Sequence, residues 1–291
     1  MGTRQGDRWV NYDQLKWASL WFRFLAISPS YELARKCRAG ELTGTEALPA
    51  DFDAVLAVYD DLGDVQVMHF QHWWKGGALR HFGYSGNKPT VTRIGVAHFD
   101  APSEQWSALG DSLGAYAGED WLQQGERTTL VAAIPVGLPK AQIMKQLAAL
   151  LDELPEDERK LVPREPTYKL TGKKLDRQSI EKYLRALDTK RKTPDAKLWE
   201  IGVKGKLSGT YSDQQSRSQQ RTYDQAGDRK NLKELTSRAL SRGHMIAENA
   251  ARGIFPVYAK CEHAVPLDWP FLHAQWLDHN ARFWKRFNRA V

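Results

Sequence analysis

Positive charge is concentrated in one stretch of this chain. Residues 159–260 contain 24 Lys and Arg against 11 Asp and Glu, a net charge of +13, whereas residues 1–158 carry −7 and the whole chain of 291 residues carries +7. A fixed block of positive charge attracts polyanions. Nucleic acid is the first candidate, because the counterions that it releases contribute to affinity. The alternative is a solvated, Lys-rich surface that binds no ligand. The secondary structure of this basic segment decides between a nucleic-acid-binding surface and a solvated one.

A polar segment at residues 155–166 is the predicted boundary between two domains. It begins and ends with proline, contains Pro163 and is otherwise mostly charged, which is typical of an exposed connection. We therefore predict an acidic, Trp-rich domain over residues 1–158 and a basic helical domain over residues 159–291. The predicted fold class is α+β, mostly helical, and the chain is long enough to bury a core in each domain.

The acidic domain is predicted to begin with helices. Apolar and aromatic residues recur at helical spacing from Tyr12 to Arg38, with a break at Ser28-Pro29-Ser30 because proline lacks a donor and restrains the residue before it. A further helix is predicted over Asp51–Leu62, with Asp51 as its N-cap. The aromatic stripe is expected to be core. The alternative is that the aromatic helices bind a protein partner or a second copy of the chain.

Two strands are predicted in the middle of the chain. Val91–Phe99 alternates in part between apolar and polar residues, and Thr128–Val136 is a continuous apolar run bounded by turn residues. The second strand leads into an amphipathic helix, Lys140–Leu154. A strand followed by a helix favours a small α/β layer.

The basic domain contains the pattern of a helix-turn-helix. Asp176 can cap a helix that runs through Lys190, and Thr193-Pro194-Asp195 ends this helix. Asp195 is then the predicted cap of a second, short helix that ends at Gly202.

The last helix of this pattern is the predicted recognition helix, Asn231–Arg252. It follows Gly205–Asp228, which offers almost nothing apolar to bury and is predicted to be a flexible loop. Arg and Asn can make bidentate contacts to guanine and adenine edges in the major groove. The predicted nucleic-acid-binding residues are the basic side chains and one asparagine of these elements: Lys173, Lys174, Arg177, Lys182, Arg185, Lys190, Arg191, Lys192, Arg217, Arg221, Lys233, Arg238, Arg242 and Asn249.

Three segments resemble parts of a known group of proteins. Ser179–Gly202, with its Tyr-Leu-Arg-Ala-Leu-Asp and Trp-Glu-Ile-Gly motifs, is similar to the C-terminal helix-turn-helix segment of uncharacterised regulator-like proteins of bacterial integrative and conjugative elements. Ser237–Gly253 resembles the long Arg-bearing helix that follows in them, and Trp21–Tyr31 resembles their short N-terminal module. The resemblance covers about a third of the chain and departs from the group in the Gln/Ser-rich insert after Lys206 and in the middle of the chain. It implies DNA binding and transfers no catalytic residue.

No enzyme motif stands out in the sequence, since nucleophile elbow, HExxH pair, P-loop and dinucleotide fingerprint are all missing. Asp60, Asp61 and Asp64 form an acidic cluster that could hold Mg²⁺ in a nuclease, but an exposed helix end is the ordinary explanation of such a cluster and is the favoured one. His69 and His72 share a helix face, but the spacing supplies no third ligand. Neither a metal nor a cofactor is therefore predicted.

The cellular setting follows from what the sequence lacks. No run of 18 apolar residues occurs, and the first eight residues contain no apolar segment of a signal peptide. Cys37 and Cys261 are too few for a disulfide framework or a cysteine zinc site. The expectation is a protein of the reducing cytoplasm that does not contact a membrane.

The leading hypothesis is a non-enzymatic DNA-binding protein of a bacterial mobile element, acting as a transcription regulator or as an accessory or defence factor. Its predicted ligand is duplex DNA, with RNA left open. One alternative is a metal-dependent nuclease built on the acidic cluster. The other is an assembly protein whose aromatic helices bind another protein while the basic domain contacts nucleic acid without specificity.

Overall fold

The chain divides into two units, and each unit is made of two separate stretches of the sequence. The computed structural model describes residues 12–82, 90–98, 100, 102–124, 127–159, 165–169, 176–212 and 223–287. One unit, here called the host unit, comprises residues 13–82 and 167–291; the other, the inserted unit, comprises residues 83–166 together with residues 1–12. This division differs from the predicted one, because residues 13–82 fall in the same unit as the basic helices.

The described residues are mostly helical, as predicted. The helices, numbered along the chain, are α1 Tyr12–Leu25, α2 Pro29–Ala39, α3 Phe52–Leu62, α4 Phe70–Trp73, a π-helical turn Trp74–Ala78, α5 Leu79–His81, α6 Ser103–Gly118, α7 Asp120–Gln123, α8 Lys140–Asp152, α9 Glu156–Arg159, α10 Arg177–Lys192, α11 Leu198–Lys204, α12 Tyr223–Ala250 and α13 Trp269–Phe287. No strand occurs among the described residues, and the two predicted strand segments are non-helical chain there. The helical part of the predicted fold class is therefore confirmed, and the α/β layer is not.

The break between α1 and α2 lies at the predicted position. The Oγ of Ser28 accepts a hydrogen bond from the backbone N–H of Tyr31 (3.2 Å), and Pro29 occupies the first turn of α2. Such a cap satisfies one of the donors that a helix N-terminus leaves without a partner. Trp21 and Phe24 of α1 are fully buried. The aromatic stripe of this helix is therefore core, and these two side chains are not available to a partner.

A buried carboxylate joins the two sequence segments of the host unit. The Oε1 of Glu248 accepts from Ser28 Oγ (2.6 Å) and Ser30 N (3.2 Å), and its Oε2 accepts from Ser30 Oγ (2.5 Å) and Val265 N (3.0 Å). Arg252 lies one turn further along the chain and pairs with the same Oε2 at 3.2 Å. A fully buried carboxylate without such partners would destabilise the fold strongly. The start of α2 and the end of α12 are thus held together.

Arg252 extends this contact to a third segment. Its guanidinium makes a bidentate pair with Asp51, with Nε–Oδ2 at 2.6 Å and Nη2–Oδ1 at 3.0 Å, and it donates to the carbonyl of His263 (2.9 Å). The predicted capping role of Asp51 is not realised, because its carboxylate faces Arg252 and makes no side-chain bond to α3. The same guanidinium holds the pKa of the Asp51 carboxyl below its usual value.

Aromatic packing around Trp21 forms the centre of the host unit. Its ring stacks on Phe255 at a centroid distance of 5.0 Å and meets the ring of Phe82 edge-on at the same distance. Its indole Nε1 donates to the carbonyl of Ala250 (3.2 Å), so the polar end of the buried ring is satisfied as well. The first helix of the chain therefore packs against the end of α12, more than 200 residues away in sequence.

Helices α10 and α11 both pack on α12, and two glycines allow the close approach. A Cβ at Gly243 of α12 would lie 2.8 Å from Leu187 of α10, and a Cβ at Gly202 of α11 would lie 2.7 Å from Thr236 of α12. The prediction that α11 ends at Gly202 is wrong, because this glycine is a packing position and the helix continues to Lys204.

Three local predictions around these helices have different outcomes. Asp176 is the N-cap of α10 and accepts from Gln178 N (3.2 Å), as expected. Asp195 does not cap α11; Lys197 is the N-cap residue, and its N–H donates to the carboxylate of Glu200 (3.0 Å). The predicted loop at residues 205–228 is also corrected in part, because α12 already begins at Tyr223.

The inserted unit leaves the host unit after Phe82 and returns at Thr167, and the two connections meet in the host unit. The N–H of Tyr168 donates to the carbonyl of His81 (2.9 Å), and its hydroxyl donates to Asp61 Oδ2 (2.6 Å). Burial, and then the neighbouring Asp61 carboxylate, raise the pKa of the Tyr168 phenol. Over the part of the chain that the structure describes, no helix has the length and apolar character needed to cross a bilayer.

We predict that Glu248→Gln lowers the free energy of unfolding by about 3 kcal/mol or more, because an amide cannot accept from all the donors that now converge on the carboxylate and leaves Arg252 without its buried counterion. Urea denaturation followed by circular dichroism measures the change. Glu234→Gln, at an exposed position of the same helix, is the matched control and should stay within about 0.5 kcal/mol of the wild type.

A second stability prediction concerns pH. Since the folded-state pKa of Asp51 lies below its ordinary value of 3.8, its pair with Arg252 stabilises the protein above that value, and the contribution is lost as pH falls through the lower folded pKa. The stability difference between wild type and Asp51→Asn should therefore be largest at neutral pH and shrink at acidic pH. Urea midpoints across this range measure it, and a difference that does not change with pH would contradict the assigned pair.

Candidate nucleic-acid interface

A groove of about 610 Å³ runs along the outer face of α12 beside the start of α11. We call it the α12 groove. It is lined by one side chain of α11 and six of α12: Leu198, Lys230, Lys233, Glu234, Ser237, Arg238 and Ser241. The two units of the chain differ in charge, because the host unit carries 32 basic against 22 acidic residues and the inserted unit 10 against 13. The groove therefore belongs to the strongly basic unit.

Helical spacing places the lining residues of α12 on one face. They recur at intervals of three and four residues from Lys230 to Ser241, which is the spacing of neighbours on a helix surface. The opposite face carries Leu232, Thr236 and Ala239, which are buried against the supporting helices. Because the buried face of α12 packs against the supporting helices, the face with the lining residues is on the outside of the helix.

The chemistry of the α12 groove suits an anion with several oxygen atoms. Three cations and two hydroxyl groups line it, against the single carboxylate of Glu234. Lysine, arginine and serine are among the side chains that contact phosphate oxygens in nucleic-acid complexes. Beside the groove, the guanidinium of Arg229 lies over the ring of Trp199 at 4.5 Å from its centroid, which fixes one further positive charge at this end of α12.

The predicted cations of α10 differ in their surroundings. Lys182 and Arg185 are exposed, off the buried stripe that packs on α12. Arg177 pairs with Glu181 at 3.3 Å within the helix. Arg191 pairs with Asp188 at 2.8 Å, a carboxylate that Arg23 of α1 also contacts at 2.7 Å. Lys182 and Arg185 therefore remain in the candidate interface, whereas Arg177 and Arg191 neutralise neighbouring carboxylates.

The end of α10 serves to hold α13. The ammonium of Lys190 donates to the carbonyl of Pro194 and lies 6.0 Å from the ring centroid of Trp269. Lys192 lies 5.8 Å from the ring centroid of Trp276, although it stays exposed. Cation–π contacts of this kind contribute about 0.5–1 kcal/mol at exposed sites. Both lysines thus have a packing role besides their charge.

Arg242 has a structural role that its sequence position did not reveal. Its Nη1 donates to the hydroxyl of Tyr183 (2.8 Å), and its guanidinium lies over the ring of Tyr258 at 4.7 Å. The side chain therefore bridges α10 and the segment that follows α12. Arg238, one turn earlier on the helix, is exposed and lines the α12 groove.

Asn249 is removed from the predicted interface. The residue is buried, and its amide nitrogen donates to the carbonyls of Val257 (3.0 Å) and Ala259 (2.9 Å). These two bonds hold the turn after α12 against the helix. A base edge cannot reach an amide that is occupied in this way.

The α12 groove brings together only Lys233 and Arg238 of the predicted set. Lys173, Lys174, Arg217 and Arg221 lie outside the described residues. The predicted set omits the other five lining residues, Leu198, Lys230, Glu234, Ser237 and Ser241, of which Lys230 is the one further cation. Continuing the three- and four-residue spacing backwards from Lys233 would have identified Lys230, but the helix was predicted to start one residue after it.

The acidic cluster does not converge on a common point. Asp60 makes a bidentate pair with Arg38 (2.7 and 2.5 Å), Asp61 accepts from Tyr168, and Asp64 accepts from the N–H of Gln66 (2.7 Å). Within the described ranges, no three His, Cys, Asp or Glu side chains are grouped so that they would hold a metal ion. A two-metal nuclease needs carboxylates that converge from separate elements, and here each one contacts a different partner.

Comparison of this chain with protein-family models, with curated proteins and with solved structures finds no match.

We predict stability effects of different size for two arginines on the same helix. Arg242→Ala removes a hydrogen bond and a contact with an aromatic ring, so the free energy of unfolding should fall by about 1–2 kcal/mol. Arg238→Ala removes an exposed side chain and should change it by less than about 0.5 kcal/mol. Urea denaturation of the two variants is the measurement, and equal destabilisation would contradict the division of roles.

Proposed function

We propose that this protein binds duplex DNA through the α12 groove and the exposed cations of α10. The observation that carries the proposal is the row of Lys230, Lys233 and Arg238 on the outer face of a long helix, together with two serine hydroxyls and one acid. The basic charge of the host unit attracts the polyanion, and each neutralised phosphate releases a counterion.

Duplex DNA is favoured over a single strand by the lining of the groove. Proteins that bind single strands without sequence preference stack the bases on aromatic side chains, and none of the seven residues that line the described groove is aromatic. The major groove of B-DNA admits a helix, whereas that of A-form RNA is too narrow. The 28 residues of α12 provide about 40 Å of straight helix, at a rise of 1.5 Å per residue.

In this proposal α10 and α11 are the supporting pair of a helix-turn-helix and α12 is its recognition helix. Arg238 is the side chain best suited to a bidentate contact with guanine, while the lysines and serines contact phosphates. Because Arg242 and Asn249 are occupied inside the host unit, few side chains remain to read bases. We therefore expect DNA binding that is dominated by the backbone, with modest sequence preference.

The biological setting follows from the sequence resemblance alone. Regulator-like proteins of integrative and conjugative elements carry the motifs that Ser179–Gly202 and Ser237–Gly253 resemble. We infer a role as a transcription regulator, or as an accessory or defence factor, of a bacterial mobile element. The protein acts in this role by binding and not by catalysis.

The test of this proposal is a pair of double variants of the full chain. Lys233→Ala/Arg238→Ala should weaken binding to a duplex of about 20 base pairs, two helical turns, by about tenfold or more, because two contacts are lost together. The dependence of log K on log salt should become shallower by roughly 0.9, since Lys233 is the phosphate contact that is lost and each such contact contributes about 0.9 to the slope. Fluorescence anisotropy across a salt series measures both quantities.

The matched control is Lys140→Ala/Lys145→Ala, at two exposed positions of α8 in the inserted unit. It removes the same charge from the chain, so it separates a local contact from the general attraction of a basic protein. Equal loss of affinity in the two double variants would exclude the α12 groove as the interface. Tighter binding to single-stranded DNA or to RNA than to the duplex would replace the proposed ligand.

A further inference from the structure

Glu234 is the single carboxylate that lines the α12 groove, and its surroundings differ from those of other acidic residues in the host unit. Three cations line the same groove, yet within the described residues the Glu234 carboxylate forms no ion pair. Arg238 follows it by one turn, in the order that favours an ion pair on a helix surface, but the two side chains are not paired. The carboxylates of Glu248 and Asp188, in contrast, each pair with arginine. The Glu234 carboxylate is therefore open to a ligand.

Glu234 lies on the outermost line of α12. Successive residues of an α-helix are rotated by about 100°, so Glu234 is nearly opposite the middle of the face that Leu232, Thr236 and Ala239 bury. Around the helix it lies between Lys233 and Arg238, and all three side chains are exposed. A recognition helix presents the face that points away from its supporting helix to the major groove. In the proposed complex, Glu234 is thus the lining side chain that lies nearest to the base edges, together with Ser241.

A carboxylate at this position repels DNA unless a base donates a hydrogen bond to it. In the major groove, guanine presents two acceptors, and thymine presents one acceptor and a methyl group. Adenine presents an amino group beside the N7 acceptor, and the lone pair of N7 repels a carboxylate. Cytosine presents the N4 amino group as its only polar group. Cytosine is therefore the base that fits a carboxylate best.

We propose that Glu234 is a specificity-determining residue of the α12 groove and that it selects cytosine by accepting a hydrogen bond from the N4 amino group. Arg238, one turn further along the helix, can contact guanine in the same complex, so that preferred sites contain G·C pairs at the contacted positions. At any other base the carboxylate remains unpaired among the phosphates and lowers affinity. Glu234 thereby opposes the binding to random sequences that Lys230 and Lys233 promote. This inference rests on the proposed binding of duplex DNA through the α12 groove.

The test compares the sequences that the full-length wild type and Glu234→Gln select from a library of randomised duplexes. The wild type should prefer cytosine over adenine at one fixed position by about fivefold or more. Glutamine makes a bidentate contact with N6 and N7 of adenine, so Glu234→Gln should replace that cytosine by adenine in the selected motif. Its affinity for random duplex DNA should also rise by about threefold or more, because a negative charge that faces the phosphates is removed. Fluorescence anisotropy measures the affinities.

The matched control is Glu262→Gln, which removes the same charge at an exposed residue of the host unit that does not line the groove. This control should select the wild-type motif. Glu234→Ala is a second variant of the same position, and it should lose the preference for cytosine without gaining one for adenine. Circular dichroism verifies that each variant is folded.

The outcomes separate the role of Glu234 from the proposed interface. A wild type that selects no cytosine at a fixed position overturns the inference, as does a Glu234→Gln variant that binds all sequences more tightly but selects the wild-type motif. When either result accompanies weakened binding by Lys233→Ala/Arg238→Ala, the α12 groove remains the interface and only the role of Glu234 is wrong. Unchanged binding by that double variant overturns the interface and this inference together.

Discussion

The buried carboxylate of Glu248 is the interaction on which the host unit depends. A buried carboxylate is tolerated only when hydrogen-bond donors surround it. The donors to Glu248 belong to Ser28, Ser30, Arg252 and Val265. Three of these residues, Ser28, Ser30 and Val265, lie outside α12, in other parts of the sequence. The turn between α1 and α2, the end of α12 and the segment before α13 must therefore be in place together. The polar contacts also make the hydrophobic core specific, because Trp21 can pack against Phe255 only when these segments have met.

The polar side chains of α12 have different roles in two parts of the helix. From Arg242 to Ala250 the polar side chains serve the host unit, since Arg242 bridges to Tyr183 and Asn249 holds the following turn. From Lys230 to Ser241 the outer face is polar and lines the α12 groove. The candidate interface therefore lies in the middle of the helix, nearer its N-terminus than the predicted recognition residues suggested.

Charge and apolar surface are separated between the two units. The host unit is strongly basic, whereas the inserted unit is slightly acidic and carries most of the exposed apolar side chains that are described.

By itself, the sequence determined the local elements. The break at Ser28-Pro29, the cap at Asp176 and the helices around α3, α10 and α12 follow from spacing, capping and proline geometry, which act over a few residues. Of the candidate site, Lys233 and Arg238 could be predicted because helical spacing places both on the outer face. Tertiary structure decided the rest: that Gly202 is a packing position, that Arg242 and Asn249 are occupied, and that residues 13–82 belong with the basic helices. These outcomes depend on contacts between residues as much as 229 positions apart, and no local pattern of the chain specifies which distant side chain a buried polar group will meet.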